Sequence, residues 1–111
     1  MWQESRKLVS EVYSLASKFP KEEIYSITAQ IKRAAISIPS NIAEGAARSS
    51  NKEYIHFLYI SLGSLAELDT QLLIAKDLNF ISEKDFNDIT EKLNSIGKML
   101  SGLIKFRQSK S

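Results

Sequence analysis

The 111-residue sequence contains no cysteine. That excludes disulfides, thiol catalysis and thiolate metal sites, while saying little about compartment. Proline occurs twice and glycine four times, and period-two alternation of apolar residues persists nowhere, so strands are not expected. Histidine occurs once, as His56. A histidine-based triad therefore has one candidate base, and no G-x-S-x-G motif accompanies it. A di-iron centre in a helical bundle needs two Glu-x-x-His pairs, and Glu53-Tyr54-Ile55-His56 supplies that spacing once. A glycine-rich phosphate loop is also missing. Neither an enzyme activity, a cofactor, a metal nor a small-molecule substrate is expected. Without a basic-then-apolar leader, a secretory signal is not expected. The longest weakly charged run, Tyr54 to Ala66, is short for a bilayer and is interrupted by His56, Ser61 and Ser64. The expected compartment is the cytoplasm, with no membrane partner.

What is present is ordinary in bulk and uneven in distribution. Hydrophobic residues make up 43% and charged residues 25%, which suits one globular domain spanning residues 1–111. The net charge of +2 creates no strong overall field. Residues 1–50 carry seven bases against five acids, residues 51–97 four against eight, and residues 98–111 four bases and no acid. A basic end is one reading of that tail. A solvated last helical turn, with cations suited to the helix dipole, is the other.

Helical periodicity divides the chain into four segments. The first covers roughly residues 3–18, with Leu8, Val12, Leu15 and Phe19 as its stripe, and Pro20 prevents continuation. The second begins near Ser26. The third opens with the capping-box pattern Ser50-Asn51-Lys52-Glu53 and runs to about Asp77. The fourth starts at Ser82, flanked by Ile81 and Phe86 at the staple positions, with Phe86, Ile89, Leu93, Ile96, Leu100 and Leu103 as its seam. Short joints predict an all-α, up-down-up-down antiparallel four-helix bundle.

The third segment has more apolar surface than one buried face needs. Ile55, Leu58, Leu62, Leu65, Ala66, Leu72 and Leu73 form the predicted core stripe. Tyr54, Phe57, Leu68 and Ala75 widen it on one side, and Tyr59, Ile60 and Ile74 on the other. That surplus points to a partner surface, most simply another copy of the chain; scattered exposed aliphatics are the structural alternative. Asp69 falls with Leu62, Leu65 and Leu73, where a carboxylate needs a partner such as Arg33, Arg48 or a backbone amide. Its expected role is to order helices.

In the second segment Ile27, Ile31, Ala35, Ile38 and Ile42 keep one phase across Pro39. This predicts a helix kinked at Pro39, the alternative being a break with a fresh helix beginning at the proline. Ser37, Asn41, Glu44 and Arg48 continue a polar stripe from Gln30 and Arg33, with Glu44 and Arg48 in the favourable order for an ion pair. The stripe is either outer surface or a network that orders helices or subunits. Ala29, Ala43 and Ala47, with Ile36 among them, offer a small face for close helix approach, and Gly63 offers another.

Three stretches resemble a known family: Arg33-Ala34-Ala35-Ile36-Ser37-Ile38-Pro39-Ser40-Asn41-Ile42-Ala43-Glu44-Gly45, then Glu53-Tyr54-Ile55-His56-Phe57-Leu58, then Gly63-Ser64-Leu65-Ala66-Glu67-Leu68-Asp69-Thr70-Gln71-Leu72. The family is that of bacterial four-helix bundles encoded in intervening sequences of large-subunit (23S) ribosomal RNA genes. It is similar, more remotely, to the accessory protein of diversity-generating retroelements. The resemblance implies a non-enzymatic, ring-like homopentamer that engages RNA or a nucleic-acid-handling enzyme. Arg33, Lys52, Lys105, Arg107 and Lys110 are then the candidate nucleic-acid contacts. No RNP or KH signature supports that reading. A scaffold with a polypeptide partner and no nucleic-acid role is the alternative expectation.

Overall fold

The computed structural model describes residues 1–110. Four helices form: α1 (Trp2–Ala16), α2 (Ile27–Ala46), α3 (Asn51–Asp77) and α4 (Glu83–Gln108). A 3-10 turn, Lys21–Glu23, follows Pro20, and the described residues contain no strand. This is an all-α four-helix fold. α1 packs on α2 and α4, and α3 packs on the same two helices, most extensively on α2. Along α2 the partners on α3 fall in number as those of α2 rise: Ile38 meets Ser61, whereas Gly45 meets Phe57 and Tyr54.

The helix ends follow from local chemistry. Ser50 Oγ accepts from the Glu53 amide and Ser82 Oγ from the Asp85 amide, each at 3.1 Å, so both predicted caps form. α3 ends in a Schellman motif. The Phe80 amide reaches the Ala75 carbonyl and the Asn79 amide reaches that of Lys76, both at 2.9 Å. Asn79 takes the left-handed conformation this closure requires, at φ 65°. Phe80 then lies 5.6 Å from Phe19, ring centre to ring centre, which ties the α3–α4 joint to the end of α1.

One cluster of buried side chains draws on all four helices. Leu8 and Val12 of α1, Ile31, Ala35, Ile38 and Ile42 of α2, and Ile89, Leu93, Ile96 and Leu100 of α4 are buried as their stripes predict. Ile104 also joins the core, where Leu103 was expected to close the seam; Leu103 is half-buried. α2 runs without interruption across Pro39, which is itself buried, so no fresh helix begins there.

The phase of α3 differs from expectation. Its buried residues are Leu58, Ser61, Leu68, Leu72 and Ala75. Leu62 and Leu65 are half-buried, and Ala66 and Leu73 are exposed. The cause is Gly45. An added Cβ there would stand 2.8 Å from Phe57 Cβ and 3.0 Å from the Tyr54 ring, so α2 and α3 meet backbone-close at this glycine. Close approach turns the Phe57, Ser61 and Ser64 side of α3 towards α2. The small residues of α2 thought to permit such contact, Ala43 and Ala47, are exposed, and a Cβ at Gly63 would meet nothing within 4 Å.

α3 also alters one inference about membranes. At 27 residues, with a window of mean hydropathy 1.2, it is long and apolar enough to cross a bilayer by length and composition alone. The helix continues beyond Tyr54–Ala66 through Leu72, Leu73 and Ile74, which lengthens the apolar run.

Candidate nucleic-acid interface and the polar seam beside it

Between α2 and α3 lies a polar seam built on consecutive turns. Ser37 Oγ and Ser64 Oγ are 2.8 Å apart and share a hydrogen bond. Asn41 Nδ2 donates to the Ser37 carbonyl at 2.8 Å and to Ser37 Oγ at 2.9 Å. Deeper, Ser61 Oγ donates to the Ile38 carbonyl at 2.9 Å, spanning the two helices within the core. One turn beyond Asn41, Glu44 accepts from Arg48 at 2.6 Å. The predicted polar stripe thus divides into two parts. Ser37 and Asn41 order α2 against α3, and Glu44 and Arg48 form a surface ion pair.

Arg48 leads into the second feature. Its Nε lies 3.8 Å from Glu53, and its guanidinium stands 5.0 Å from the centre of the Phe57 ring. The α2–α3 turn is therefore held to the first turns of α3 by one side chain. The end of α4 arrives at the same place. Asn51 Nδ2 donates to the Arg107 carbonyl at 2.8 Å, and the Arg107 guanidinium lies 4.7 Å from the Tyr54 ring centre. Gln108 Nε2 donates to the Tyr59 hydroxyl at 3.1 Å, and Lys110 sits 5.1 Å from the Phe106 ring centre.

Folding thereby gathers Arg48, Lys52, Lys105, Arg107 and Lys110 at one end of the molecule. The nearby carboxylates, Glu44 and Glu53, both face Arg48. Lys52 and Lys105 are exposed and make no ion pair among the described residues. The cations at the end of α4 also complement the negative end of its dipole, while the start of α3 contributes the positive end of its own. A field of this kind attracts phosphate without demanding a particular base sequence. This end of the molecule is therefore rich in positive charge and aromatic surface.

Not every candidate belongs to this cluster. Arg33 is fifteen residues before Arg48 on the chain, about 22 Å along a helix, and lines a different groove with Gln30, Ser37, Ser64 and Glu67. Asp69 is exposed and makes no ion pair among the described residues, so it does not pair with Arg33 or Arg48. Its assignment as a register-setting carboxylate is corrected by the turned phase of α3. Ser61 and Ser64 hold that register. Tyr54, Phe57 and Asn51 are contributors that sequence reasoning missed. Tyr54 and Phe57 read as apolar surplus, and nothing in their spacing shows that arginines would stack on them.

Comparison with known proteins bears on this geometry. The sequence model of the family described as 23S rRNA-intervening sequence protein matches residues 1–102. The matched span ends before Lys105, Arg107 and Lys110. A similar solved structure is the crystal structure of a protein with unknown function from the S23 ribosomal protein family of Bacteroides thetaiotaomicron VPI-5482. It superposes with a TM-score of 0.87 at 24% identity, covering 94% of each chain. At that identity the likeness concerns the fold alone. No curated protein matches.

Proposed function

The chain belongs to the 23S rRNA-intervening sequence protein family, and on that premise we propose that it is a cytoplasmic, non-enzymatic homo-oligomer whose basic end binds structured RNA. The observation that carries this reading is the gathering of Arg48 and Lys52, at the α2–α3 turn, with Lys105, Arg107 and Lys110, more than fifty residues later on the chain. Phosphate contacts supply affinity through counterion release, so binding weakens steeply as salt rises. Self-association is supported by Tyr59, Ile60, Leu73 and Ile74, all exposed on α3 despite their apolar bulk. Five subunits is the number the resemblance implies.

Fluorescence anisotropy with a labelled structured RNA tests the reading. Binding should occur at low salt and fall on a log–log plot against salt with a slope set by the number of phosphates neutralised. No binding at low salt by an intact oligomer would remove the RNA role. The same exposed face of α3 favours a second reading, a scaffold for another polypeptide. A defined protein, with no nucleic acid, recovered together with the chain from its native host would select that alternative.

A further inference from the structure

On the outward side of α4, Phe106 is 54% exposed, whereas the other four phenylalanines are buried or half-buried. A helical side chain leans towards the N-terminus and covers the turn before its own. For Phe106 that turn holds Gly102, where an added Cβ would meet nothing within 4 Å. Met99, also exposed, stands one turn further back, and the Lys110 ammonium lies 5.1 Å from the Phe106 ring centre. Met99, Gly102, Phe106 and Lys110 thus follow one another on a single stripe as wall, floor, wall and cation. The two walls are seven residues apart, about 10 Å along the helix, which leaves room for one flat ring between them. Beside the floor, towards α3, the surface falls into a groove of about 560 Å³ whose lining includes Lys98 and Lys105. No acidic residue follows Glu91 in the sequence, so no carboxylate on this part of α4 opposes those lysines.

An open ring among cations suits one kind of nucleic acid better than another. In a duplex each base is covered on both faces by its neighbours, so an exposed phenylalanine gains nothing from it. An unpaired base has free faces and stacks on aromatic side chains whatever its identity. We infer that the slot over Gly102, between Met99 and Phe106, takes an unpaired base of the bound RNA, in a loop, a bulge or an end. Lys98, Lys105 and Lys110 then lie within reach of the phosphates on either side of that nucleotide. This inference rests on the RNA binding proposed above and names the form of RNA the basic end prefers. Stacking tolerates all four bases, so the slot selects single-stranded character and not a sequence. Lys105, Phe106 and Lys110 lie beyond residue 102, where the match to the family's sequence model ends.

The test compares a labelled oligouridylate of about twelve nucleotides, within the span such sites cover, with an RNA duplex of similar length. Fluorescence anisotropy at low salt follows the full chain and three variants. Phe106→Leu keeps apolar bulk without the ring, Gly102→Leu fills the slot at an unobstructed position, and Phe106→Tyr preserves the aromatic face. All three should keep wild-type helicity by circular dichroism. The wild type should bind the oligouridylate more tightly than the duplex. Phe106→Leu and Gly102→Leu should each weaken the single strand by about fivefold or more, the loss of one stacked base. Neither should change affinity for the duplex or the salt slope, because no phosphate contact is lost. Phe106→Tyr should bind both RNAs as the wild type does. A Phe106→Leu variant that holds the oligouridylate as tightly as the wild type would overturn the slot and leave the RNA role standing. So would a wild type that favours the duplex. A wild type that binds neither RNA would overturn both this inference and the reading it rests on.

Discussion

The hydroxyl of Ser61 donates to the carbonyl of Ile38, the residue immediately before Pro39. Both side chains are fully buried, and Ile38 and Ser61 belong to different helices. Proline brings no amide to the helix and clashes with the carbonyl one turn back, so the backbone around it is the weakest part of α2 by local criteria. A donor from α3 reinforces it at that level. Ser61→Ala should therefore cost about 1 kcal/mol, the net worth of one buried hydrogen bond. Urea unfolding should show a lower midpoint with an unchanged m-value.

Gly45 and Gly102 should respond in opposite directions to alanine. At Gly45 the new Cβ would contact Phe57 Cβ at 2.8 Å and the Tyr54 carbonyl at 3.2 Å, neither of them the movable end of a flexible chain. Overpacking of this kind costs about 1–3 kcal/mol, more than the up to ~1 kcal/mol gained in helix propensity. At Gly102 a Cβ meets nothing, so Gly102→Ala should stabilise by roughly 0.5–1 kcal/mol. Thermal unfolding of the two variants side by side checks both signs.

Within the polar stripe, Asn41→Ala should destabilise more than Glu44→Ala. Asn41 is half-buried and makes two hydrogen bonds to Ser37, worth about 1–2 kcal/mol together. Glu44 is exposed and its ion pair with Arg48 is worth at most about 1 kcal/mol. Equal costs in chemical denaturation would show the seam to be ordinary surface. Asp69→Asn should change stability by less than about 0.5 kcal/mol, as befits an exposed group that makes no ion pair among the described residues.

RNA affinity should separate the cations by position. Arg107→Glu with Lys110→Glu should weaken binding and flatten its salt dependence, each lost phosphate contact removing about 0.7–0.9 from the log–log slope. Arg33→Glu should leave the slope unchanged, because Arg33 lines a separate groove beside Ser37 and Ser64. Anisotropy titrations at three salt concentrations distinguish the two.

The helix limits and most of the core were legible before folding, because they depend on local signals. Ser50 and Ser82 cap as their neighbours predict, and the stripes of α1, α2 and α4 bury nearly as drawn. α3 was not legible in the same way. With apolar side chains on most of its circumference, its own pattern selects no unique inner face, and the choice falls to a contact with Gly45 from another helix. The misplacement of Asp69 follows from that one ambiguity. The basic end was half legible. Lys105, Arg107 and Lys110 stand out along the chain, but their meeting with Arg48 and Lys52 depends on the start of α3 lying beside the end of α4.

The four-residue joint between α2 and α3 has a kinetic consequence. The two helices with the most extensive mutual packing are also neighbours in sequence, so their loop closes at little entropic cost. Their contacts, from Gly45 against Phe57 back to Ile38 against Ser61, can form before α1 or the far half of α4 has docked. The same hairpin should be the last part of the protein to release its amide protons in hydrogen exchange. On that basis the region around Pro39 is expected to form early in folding, and the basic end later, when the last turns of α4 reach Asn51.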